Sequence, residues 1–403
     1  MATSYNVTGL FAGIGGLELG LERAGHSTTL FCEADPEAAS VLARRFPSVP
    51  RNYDVRETRA LVEQIAKSSD LLTAGFPCTD LSQAGSTAGF EGKQSSLVRK
   101  VFDLLDARCF PNVLFENVPN WRFLHRGRYF TEVIEALEAR GYRWAYRVID
   151  ARAFGLPQRR LRIFLFASLE RDPRAVLMDG DVLEPSTKIP LREAAHGFYW
   201  TEGTRGLGWG EDCVPTLKGG SAIGIPAAPA VLLPDGLIIT PSLRDGERLQ
   251  GFNAGWTDLD VTAPEFGERR FNQRRRWLLI GNAVNVRVST WIGNNLRALD
   301  GAAAEKHPEE PIKTGDRWPA AAWGDGRSRW RVAAGTWPVA NASEPLAEFL
   351  HDDGQPLSVR ATKGFYSRLS KSQLRVSPEF KSAVAAHLTR MESGCAVTRM
   401  AAE

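Results

Sequence analysis

Cys78 is the residue of this chain best suited to act as a nucleophile. It lies in the segment GFPCTDLSQAG, residues 75–85, directly after the apolar run 71–74. A strand that ends in a loop bounded by Gly and Pro presents its side chains at a cleft. A reactive thiol needs positive charge nearby, which Arg160 and Arg162 could supply. The alternative, a buried structural cysteine, is disfavoured by the Gly, Pro and polar residues around Cys78.

Glu116 is the candidate acid that accompanies this thiol. It follows the apolar run 113–115, as Glu33 follows the run 28–32. Because parallel strands end at one edge of a sheet, we expect Phe11, Glu33, Cys78 and Glu116, each of which follows an apolar run, to meet there. None of the six histidines stands in a comparable loop, so the sequence does not predict a Cys-His pair.

A glycine-rich loop precedes these residues in the chain. Residues 5–10 are a β-prone run, residues 11–16 read FAGIGG, and residues 17–24 have the pattern of a helix that ends at Gly25. Strand, glycine loop and helix form the first turn of nucleotide-binding α/β sheets, where glycines let a ligand approach the backbone. The spacing Gly-x-Gly-Gly does not favour a dinucleotide, and a tight turn without a ligand stays open. Glu33 could accept hydrogen bonds from both hydroxyls of a ribose.

Strands and helices alternate up to about residue 167. The predicted strands are 5–10, 28–32, 71–74, 113–115, 143–151 and 161–167, and the predicted helices are 17–24, 55–65, 95–107 and 131–140. This alternation predicts a mostly parallel sheet covered by helices on both faces. Asp54 precedes the second helix, so a helix N-cap and a ligand contact both stay open for it.

The composition is that of a globular protein, with 43% hydrophobic residues, no apolar run long enough to span a membrane and no signal-peptide pattern. The five cysteines, at 32, 78, 109, 213 and 395, have no Cys-x-x-Cys spacing, so we expect a reducing compartment and no metal site. The net charge is only +3, but residues 265–276 and 356–391 are locally basic. Such segments are typical of phosphate contact or of a solvated helix face.

A series of motifs in order makes residues 5–300 resemble the prokaryotic-type DNA (cytosine-5)-methyltransferase family. The motifs are FAGIGG at 11–16, Glu33, Asp54, Pro77-Cys78, Glu116-Asn117-Val118, QRRLR at 158–162, RLQGF at 248–252 and GNAV at 281–284. The chain departs from the family pattern at Ala34, Thr79, Asp245 and Asn285, where members commonly carry an aromatic residue, Gln, Glu and Pro.

The resemblance implies an α/β fold, with a Rossmann-like S-adenosylmethionine-dependent methyltransferase sheet, a smaller target-recognition domain and a C-terminal extension. The implied boundaries are 1–170 for the catalytic and cofactor-binding domain, 171–270 for target recognition, 271–300 for a return helix that completes the catalytic domain, and 301–403 for a linker and the extension.

The same resemblance implies that a methyl group passes from S-adenosyl-L-methionine to carbon 5 of cytosine in a specific duplex DNA sequence. The product of the cofactor would be S-adenosyl-L-homocysteine. The base would be flipped out of the duplex and joined to Cys78 at carbon 6. Glu116 would act on ring nitrogen 3, Arg162 on the base carbonyl and Arg160 near the thiol, while Asn117 would support the acid loop. No metal is implied.

Further site residues also follow from the resemblance. The implied cofactor contacts are Phe11, Ala12, Gly13, Ile14, Gly15, Gly16, Glu33, Asp54, Pro77, Leu97, Asn282 and Val284. The implied DNA contacts are Ser82, Gln83, Gln158, Arg205, Lys218 and Ser221, with Thr216 as a further candidate. Ser82 and Gln83 would lie on a loop that closes over the DNA. For each DNA contact, a loop or packing role is the alternative.

Beyond residue 301 the resemblance ends. Trp318, Trp323, Trp330 and Trp337 are too dense for a disordered tail, and the basic segment 356–391 follows them. Extra backbone contact with DNA is the leading hypothesis for this extension, and a packing extension or a protein interface is the alternative.

We expect a monomer that acts on duplex DNA in the prokaryotic cytoplasm, associated with the nucleoid, without a membrane partner. A restriction-modification system and an epigenetic system are the two expected settings, and a cognate restriction endonuclease acting on the same site is a candidate partner in the first. A tRNA methyltransferase of the same family and a non-catalytic DNA-binding relative stay open. An oxidoreductase is disfavoured because it leaves Cys78 and Glu116 unexplained.

Overall fold

A computed structural model describes residues 4–76, 95–185, 188–199, 207–218, 228–259, 272–298, 307–352, 354–371 and 376–400, with backbone alone at 95–96 and 394–400. Fifteen strands in these ranges form one sheet of ten strands and one of five. No helix in these ranges is both long and apolar enough to cross a membrane.

The ten-stranded sheet is the larger of the two. Its strands are β1 (Asn6–Leu10), β2 (Ser27–Cys32), β3 (Arg51–Asn52), β4 (Leu71–Ala74), β5 (Asn112–Asn117), β6 (Arg143–Asp150), β7 (Leu161–Ser168), β12 (Glu309–Pro311), β13 (Ala321–Gly324) and β14 (Arg329–Val332). Their order is β12-β14-β13-β6-β7-β5-β4-β1-β2-β3. Strands β1 to β5 pair in parallel, and β7 runs antiparallel to both β5 and β6. The predicted α/β sheet is therefore confirmed.

Helices cover both faces of this sheet. The helices in the described part of the chain are α1 (Gly16–Arg23), α2 (Pro36–Arg45), α3 (Thr58–Gln64), α4 (Ser95–Ala107), α5 (Arg128–Glu138), α6 (Arg174–Leu177), α7 (Leu243–Leu249), α8 (Gln273–Asn282), α9 (Val286–Arg297), α10 (Leu346–Phe349), α11 (Val359–Lys371) and α12 (Pro378–Met400), with 3-10 turns at Pro119–Gly127 and Ala151–Phe154. Alternate strand residues face opposite layers. Leu72 and Phe115 pack in the cluster formed with α3, α4 and α5, whereas Leu71 and Leu114 pack with α1, α6 and α9. All six residues of β5 are buried, as expected for a strand covered on both faces.

The return to the catalytic domain differs from the prediction of one helix in 271–300. Two helices, α8 and α9, are separated at residues 283–285. The Asn285 side chain accepts hydrogen bonds from the backbone N–H of Arg287 and Val288, at 3.1 and 3.3 Å. Asn285, which stands where family members commonly carry Pro, therefore acts as the N-cap of α9.

Helix α2 and strand β3 were missed by the sequence prediction. A local signal for α2 was present, since Asp35 precedes Pro36. Asp35 is the N-cap, and its side chain accepts from the N–H groups of Glu37 and Ala38 at 3.0 and 3.1 Å. The N-cap alternative for Asp54 is wrong, because the N-cap position of α3 is Glu57.

The smaller sheet corresponds to the predicted recognition segment. It is antiparallel, with β8 (His196–Tyr199), β9 (Gly208–Glu211), β10 (Ala230–Leu232), β11 (Ile238–Thr240) and β15 (Gln355–Pro356) in the order β15-β11-β10-β8-β9. One face packs against α11 and α12, and the other contributes to a cluster that includes Leu249, Trp277 and Ile280 of α7 and α8.

The segment after residue 301 is built into both sheets rather than appended to them. Strand β13 pairs with β6 from Ala321↔Arg147 to Gly324↔Trp144, and β15 extends the smaller sheet. Trp318 is 6% exposed and packs in the hydrophobic core beside the ten-stranded sheet. Of the two roles considered for this segment, packing therefore accounts for β12–β14 and β15.

Candidate active site

Glu116 lies near the carboxyl end of β5, where the ends of three strands come together. Its side chain is largely buried and forms an ion pair with Arg162, with 3.1 Å between Arg162 Nε and Glu116 Oε1. A methyl group placed on Gly75, directly after β4, would lie 3.7 Å from Glu116 Oε2 and 3.7 Å from the carbonyl oxygen of Phe11. The predicted convergence of β1, β4 and β5 is therefore present.

The electrostatic surroundings of Glu116 favour a carboxyl group that can hold a proton. Burial raises the pKa of Glu116 above its ordinary value, while the charges of Arg162 and Arg160 act in the opposite direction. A carboxyl with a raised pKa can serve as an acid nearer to neutral pH.

Asn117 fixes the chain just ahead of Cys78. Its Nδ2 donates to the carbonyl oxygen of Phe76 at 3.1 Å, and its Oδ1 accepts from the N–H of Val118 at 2.8 Å. The Phe76 ring packs edge-on against Phe115, with 5.5 Å between centroids. Asn117 thus holds the end of the Phe76 segment beside Glu116. Pro77, Cys78, Ser82 and Gln83 lie outside the described residues.

The other cysteines in the described part of the chain do not fit a nucleophile at this edge. Burial raises the pKa of Cys32 to about 12 and that of Cys213 to about 11. Cys109 is exposed, but it precedes β5 and so lies towards the opposite edge of the sheet from Glu116. Cys395 belongs to the last part of α12.

Arg160 is buried at the junction of three segments. Its Nη1 donates to the carbonyl oxygen of Leu217 at 3.2 Å, and its Nη2 donates to those of Gly281 and Ala283 at 3.2 and 2.6 Å. Burial lowers the pKa of Arg160. Its Nε has no hydrogen-bond partner among the described residues. The guanidinium therefore ties the recognition segment to the return segment, and the predicted contact with the thiol lies outside the described residues.

Gln158 requires a correction. It was predicted to contact DNA, but it is 0% exposed. Its Nε2 donates to Leu249 O at 2.8 Å, and its Oε1 accepts from the N–H of Leu217 at 3.0 Å. Because both ends of the amide are used inside the protein, Gln158 joins the two domains instead of contacting DNA in this arrangement.

Two other candidate DNA contacts lie in the described residues. Lys218 Nζ lies 5.2 Å from the centroid of the Tyr199 ring. The Thr216 hydroxyl donates to the carbonyl oxygen of Arg159 at 2.8 Å. Both residues are partly exposed, so their predicted DNA contacts stay predictions. Arg205 and Ser221 lie outside the described residues.

The glycine loop between β1 and α1 has the shape of a ligand cradle. Gly13 has φ +57°, and a Cβ at this position would meet nothing within 4 Å. Its N–H donates to Glu33 Oε2 at 2.7 Å, and the N–H of Asp35 donates to Glu33 Oε1 at 2.8 Å. A Cβ on Gly16 would lie 2.3 Å from Val284 O. The loop is thus tightly packed against Val284 at Gly16 but has free space next to Gly13. This free space lies beside the Glu33 carboxylate and fits a nucleoside ligand.

The remaining predicted cofactor contacts are spread around this cradle. Phe11, Ala12 and Val284 are partly exposed, Gly15 is buried beneath the loop, and Asn282 is exposed at the end of α8. Leu97, in the first turn of α4, is partly buried and packs against the hydrophobic core. The Asp54 carboxylate pairs with Arg56, with 2.8 Å from Nε to Oδ1. Arg56 accordingly lowers the pKa of Asp54.

The predicted role of Ile14 needs revision for its side chain, which is 1% exposed and packs in a hydrophobic cluster. Its carbonyl oxygen accepts from Trp256 Nε1 at 2.9 Å. Trp256 was not predicted as part of the site. It links the loop after α7 to the cradle, and the tryptophan gave no local signal of this contact.

Glu18 is a second residue that sequence reasoning missed. It lies on the buried face of α1, between Leu17 and Leu21, where a charged residue is unexpected. Its Oε1 accepts from Thr73 Oγ1 at 2.8 Å, and its Oε2 has no partner among the described residues. Burial raises the pKa of Glu18 to about 7. The hydrogen bond between Glu18 and Thr73 thus connects α1 to β4.

The raised pKa of Glu18 predicts a loss of stability with rising pH. The folded protein holds this proton more tightly than the unfolded chain, so stability falls between about pH 4.5 and 7. Glu18→Gln removes this contribution. We expect the free energy of unfolding of the wild type, relative to Glu18→Gln, to fall by up to about 3 kcal/mol between pH 4 and 8. Urea unfolding of both proteins measures this difference, and a pH-independent difference would contradict it. Glu170→Gln, at an exposed residue, is the control.

No group of three or more His, Cys, Asp or Glu side chains in the described ranges has an arrangement that could hold a metal ion.

Comparisons with known proteins agree with this site. The family model of the C-5 cytosine-specific DNA methylase matches residues 5–193, a range that contains the glycine loop, Glu33, Cys78, Glu116 and Arg162. Type II methyltransferase M2.BsuMI of Bacillus subtilis is 44% identical over 385 residues, covering 93% of this chain and 96% of that protein. This match reaches well beyond residue 301, where the resemblance based on motifs ends. Type II methyltransferase M.Bsp6I of a Bacillus species is 38% identical over 210 residues, covering 49% of this chain and 64% of that protein.

Two solved structures share the fold. The Dnmt2 methyltransferase of S. pombe superposes with a TM-score of 0.53 at 15% identity, covering 74% of this chain and 100% of that one. The methyltransferase EhMeth of Entamoeba histolytica gives a TM-score of 0.52 at 14% identity, covering 73% of this chain and 98% of that one. At these identities the likeness shows the fold alone.

Proposed function

The chain belongs to the prokaryotic-type DNA (cytosine-5)-methyltransferase family, and from this premise we propose that it methylates one cytosine of a specific duplex DNA sequence through a covalent adduct with Cys78. The family fixes the enzyme class, which is that of the Type II restriction-modification methyltransferases. The adduct, the flipped base, the cofactor and the roles of individual residues form the proposal.

The main structural support for the proposed mechanism is a pair of contacts, one made by Glu116 and one made by Asn117. Arg162 holds the Glu116 carboxyl at 3.1 Å, and Asn117 holds Phe76, two residues before Cys78, at 3.1 Å. Together these contacts support a thiol and an acid on adjacent strand ends, as addition to a cytosine ring requires. Base flipping, which costs a few kcal/mol, would bring the ring to this edge of the sheet.

In the proposed reaction, Cys78 adds as the thiolate, so that Sγ forms a bond to carbon 6 of cytosine and the π bond between carbons 5 and 6 breaks. Glu116 protonates ring nitrogen 3, or donates a hydrogen bond to it, so the ring accepts the electron pair and carbon 5 becomes nucleophilic. After carbon 5 has gained the methyl group, it loses its proton to a base. The bond between Cys78 and carbon 6 then breaks, Cys78 leaves as the thiolate, Glu116 takes back any proton it gave to nitrogen 3, and the aromatic ring is restored. Arg162 orients Glu116 and faces the base carbonyl, and Arg160 acts as a positioning residue between the domains.

S-adenosyl-L-methionine, when bound, supplies the methyl group. The open position above Gly13 and the Glu33 carboxylate that holds the loop both fit its nucleoside part. Phe11, Asp54, Leu97, Asn282 and Val284 would line the remainder of the site.

Methyl transfer from labelled S-adenosyl-L-methionine tests the proposed function. We expect label to enter duplex DNA and not tRNA, and bisulfite sequencing of DNA from cells that express the protein to show one modified sequence. Transfer to tRNA alone would favour the tRNA-directed branch of the family. Absence of transfer to both, with DNA binding retained, would favour a non-catalytic relative.

The cellular context is also part of the proposal. The relatives are named Type II methyltransferases, which supports a role in protecting DNA from a cognate endonuclease. We further propose that the enzyme acts as a monomer on DNA in the cytoplasm, at the nucleoid.

A further inference from the structure

Helix α11 presents a face made only of basic, small and hydroxyl residues. Its 13 residues include no Asp or Glu. Its exposed positions from Arg360 to Lys371 are Arg360, Lys363, Gly364, Ser367, Arg368, Ser370 and Lys371. The spacing of the basic residues, at i, i+3, i+8 and i+11, keeps them on one side of the helix. At about 1.5 Å per residue this row is about 17 Å long.

The opposite face of α11 fixes the helix to the smaller sheet. Phe365 stacks on Phe198 of β8, with 5.1 Å between ring centroids. Thr362 and Leu369 are buried on the same side. Strand β8 also carries Tyr199, whose ring lies under Lys218, one of the candidate DNA contacts. Because neighbouring residues of a strand point to opposite faces, Tyr199 and Lys218 lie on the other face of this sheet. The basic face is therefore held rigidly on the smaller sheet, on the side away from Lys218.

Neighbouring acids neutralise little of this face. Lys363 pairs with Glu392 of α12 at 2.6 Å. Among the described residues, Arg360, Arg368 and Lys371 have no ion pair. Gly364 and Ser367 lie between them, so a polyanion can approach the helix closely, and serine hydroxyls can donate to phosphate oxygens. A merely solvated helix face would be expected to carry charges of both signs.

We propose that the exposed face of α11 binds the phosphate backbone of duplex DNA and adds a contact that does not depend on sequence. The proposal rests on duplex DNA being the substrate, and it goes beyond the proposed function because it assigns a second DNA surface outside the recognition segment. The contact anchors the recognition sheet on the duplex, while base edges are read elsewhere.

The test is the salt dependence of DNA affinity in the full chain. The slope of log K against log salt is negative, and removal of three cations that contact phosphates makes it less steep by about 2 to 3. We expect this change for Arg360→Gln/Arg368→Gln/Lys371→Gln, measured by fluorescence anisotropy with a labelled duplex. The affinity should fall by the same factor for a duplex with the methylated sequence and for an unrelated duplex.

A control variant with the same loss of charge is available. Lys67, Lys313 and Arg327 are exposed and lie in loops at the opposite edge of the sheet from Glu116. Lys67→Gln/Lys313→Gln/Arg327→Gln should leave the slope as in the wild type. As a second probe, Ser367→Glu places a carboxylate on the basic face and should weaken binding to both duplexes.

Two results would overturn the proposal. One is a slope for the α11 variant equal to that of the control, and the other is a loss of affinity confined to the methylated sequence. Methyl transfer at saturating DNA and low salt should persist in the α11 variant. A wild type without any methyl transfer would contradict the proposed function, while the salt slope would still report on α11. Substitutions are preferred to deletion of residues 310–403, which would remove β13, β14 and Trp318 from the core.

Discussion

Replacement of Cys78 with Ser is expected to abolish methyl transfer while DNA binding persists. A serine hydroxyl is far less ionised than a thiol at neutral pH, so it cannot add to carbon 6 at a useful rate. Loss of a nucleophile that forms a covalent intermediate lowers kcat by about 10⁴-fold or more. Initial rates of methyl transfer to duplex DNA measure the effect, and anisotropy with the same duplex measures binding.

Cys109→Ser is the matched control for this substitution. Cys109 is a free cysteine and is exposed. Because it lies ahead of β5, away from Glu116, its replacement should leave kcat within about twofold of the wild type. Substantial methyl transfer by Cys78→Ser would remove the covalent adduct from the mechanism. A collapse of activity in Cys109→Ser as well would show that the effect of Cys78 is not specific.

Glu116→Gln is expected to produce the second-largest loss. The Gln side chain can still donate a hydrogen bond to ring nitrogen 3, but it cannot transfer a proton. A general acid typically contributes about 10² to 10⁴ in rate, so we expect kcat to fall within this range while the affinity for DNA changes little. Glu63→Gln, at an exposed residue paired with Arg59, should have wild-type activity.

The pH profile separates a chemical role of Glu116 from a structural one. Burial raises the pKa of Glu116, and the reaction uses its protonated form. The activity of the wild type should therefore decline as the pH rises through that raised pKa. The pH–activity profile should thus have an alkaline limb, at a pH above the range in which carboxyl groups usually titrate. The limb should be absent in Glu116→Gln because the amide does not titrate. A variant that retains the same limb, or one with full activity, would contradict the assignment.

The sequence was most informative where the structure depends on short segments. The apolar run 71–74 followed by Gly75 and the run 113–115 followed by Glu116 predicted both strands and the edge at which they meet. Strand β4 has the predicted bounds, and β5 is longer by one residue before the run and two after it. The glycine loop and α1 were also predicted, because strand, turn and helix signals lie within about twenty residues of one another.

Features that depend on distant partners were not predicted. Strand β13 pairs with β6 across more than 170 residues, and nothing local in AAWG indicates that partner. Gln158 belongs to a motif that suggested DNA contact, yet its amide bonds to Leu249 and Leu217. Its burial depends on how the two domains pack, which a motif does not encode. Glu18 was detectable in principle, because it interrupts the apolar face of α1.

The most direct test of the central claim is the capture of the covalent intermediate. A duplex that carries 5-fluorocytosine at the modified position has fluorine where carbon 5 normally bears the proton. After methyl transfer, this ring cannot lose a proton, so the bond to Cys78 Sγ should not break. With S-adenosyl-L-methionine present, we predict a protein–DNA adduct that survives denaturation and maps by peptide mass spectrometry to Cys78, and no adduct with Cys78→Ser. Absence of the adduct from a wild type that methylates ordinary DNA, or an adduct at another residue, would contradict the account.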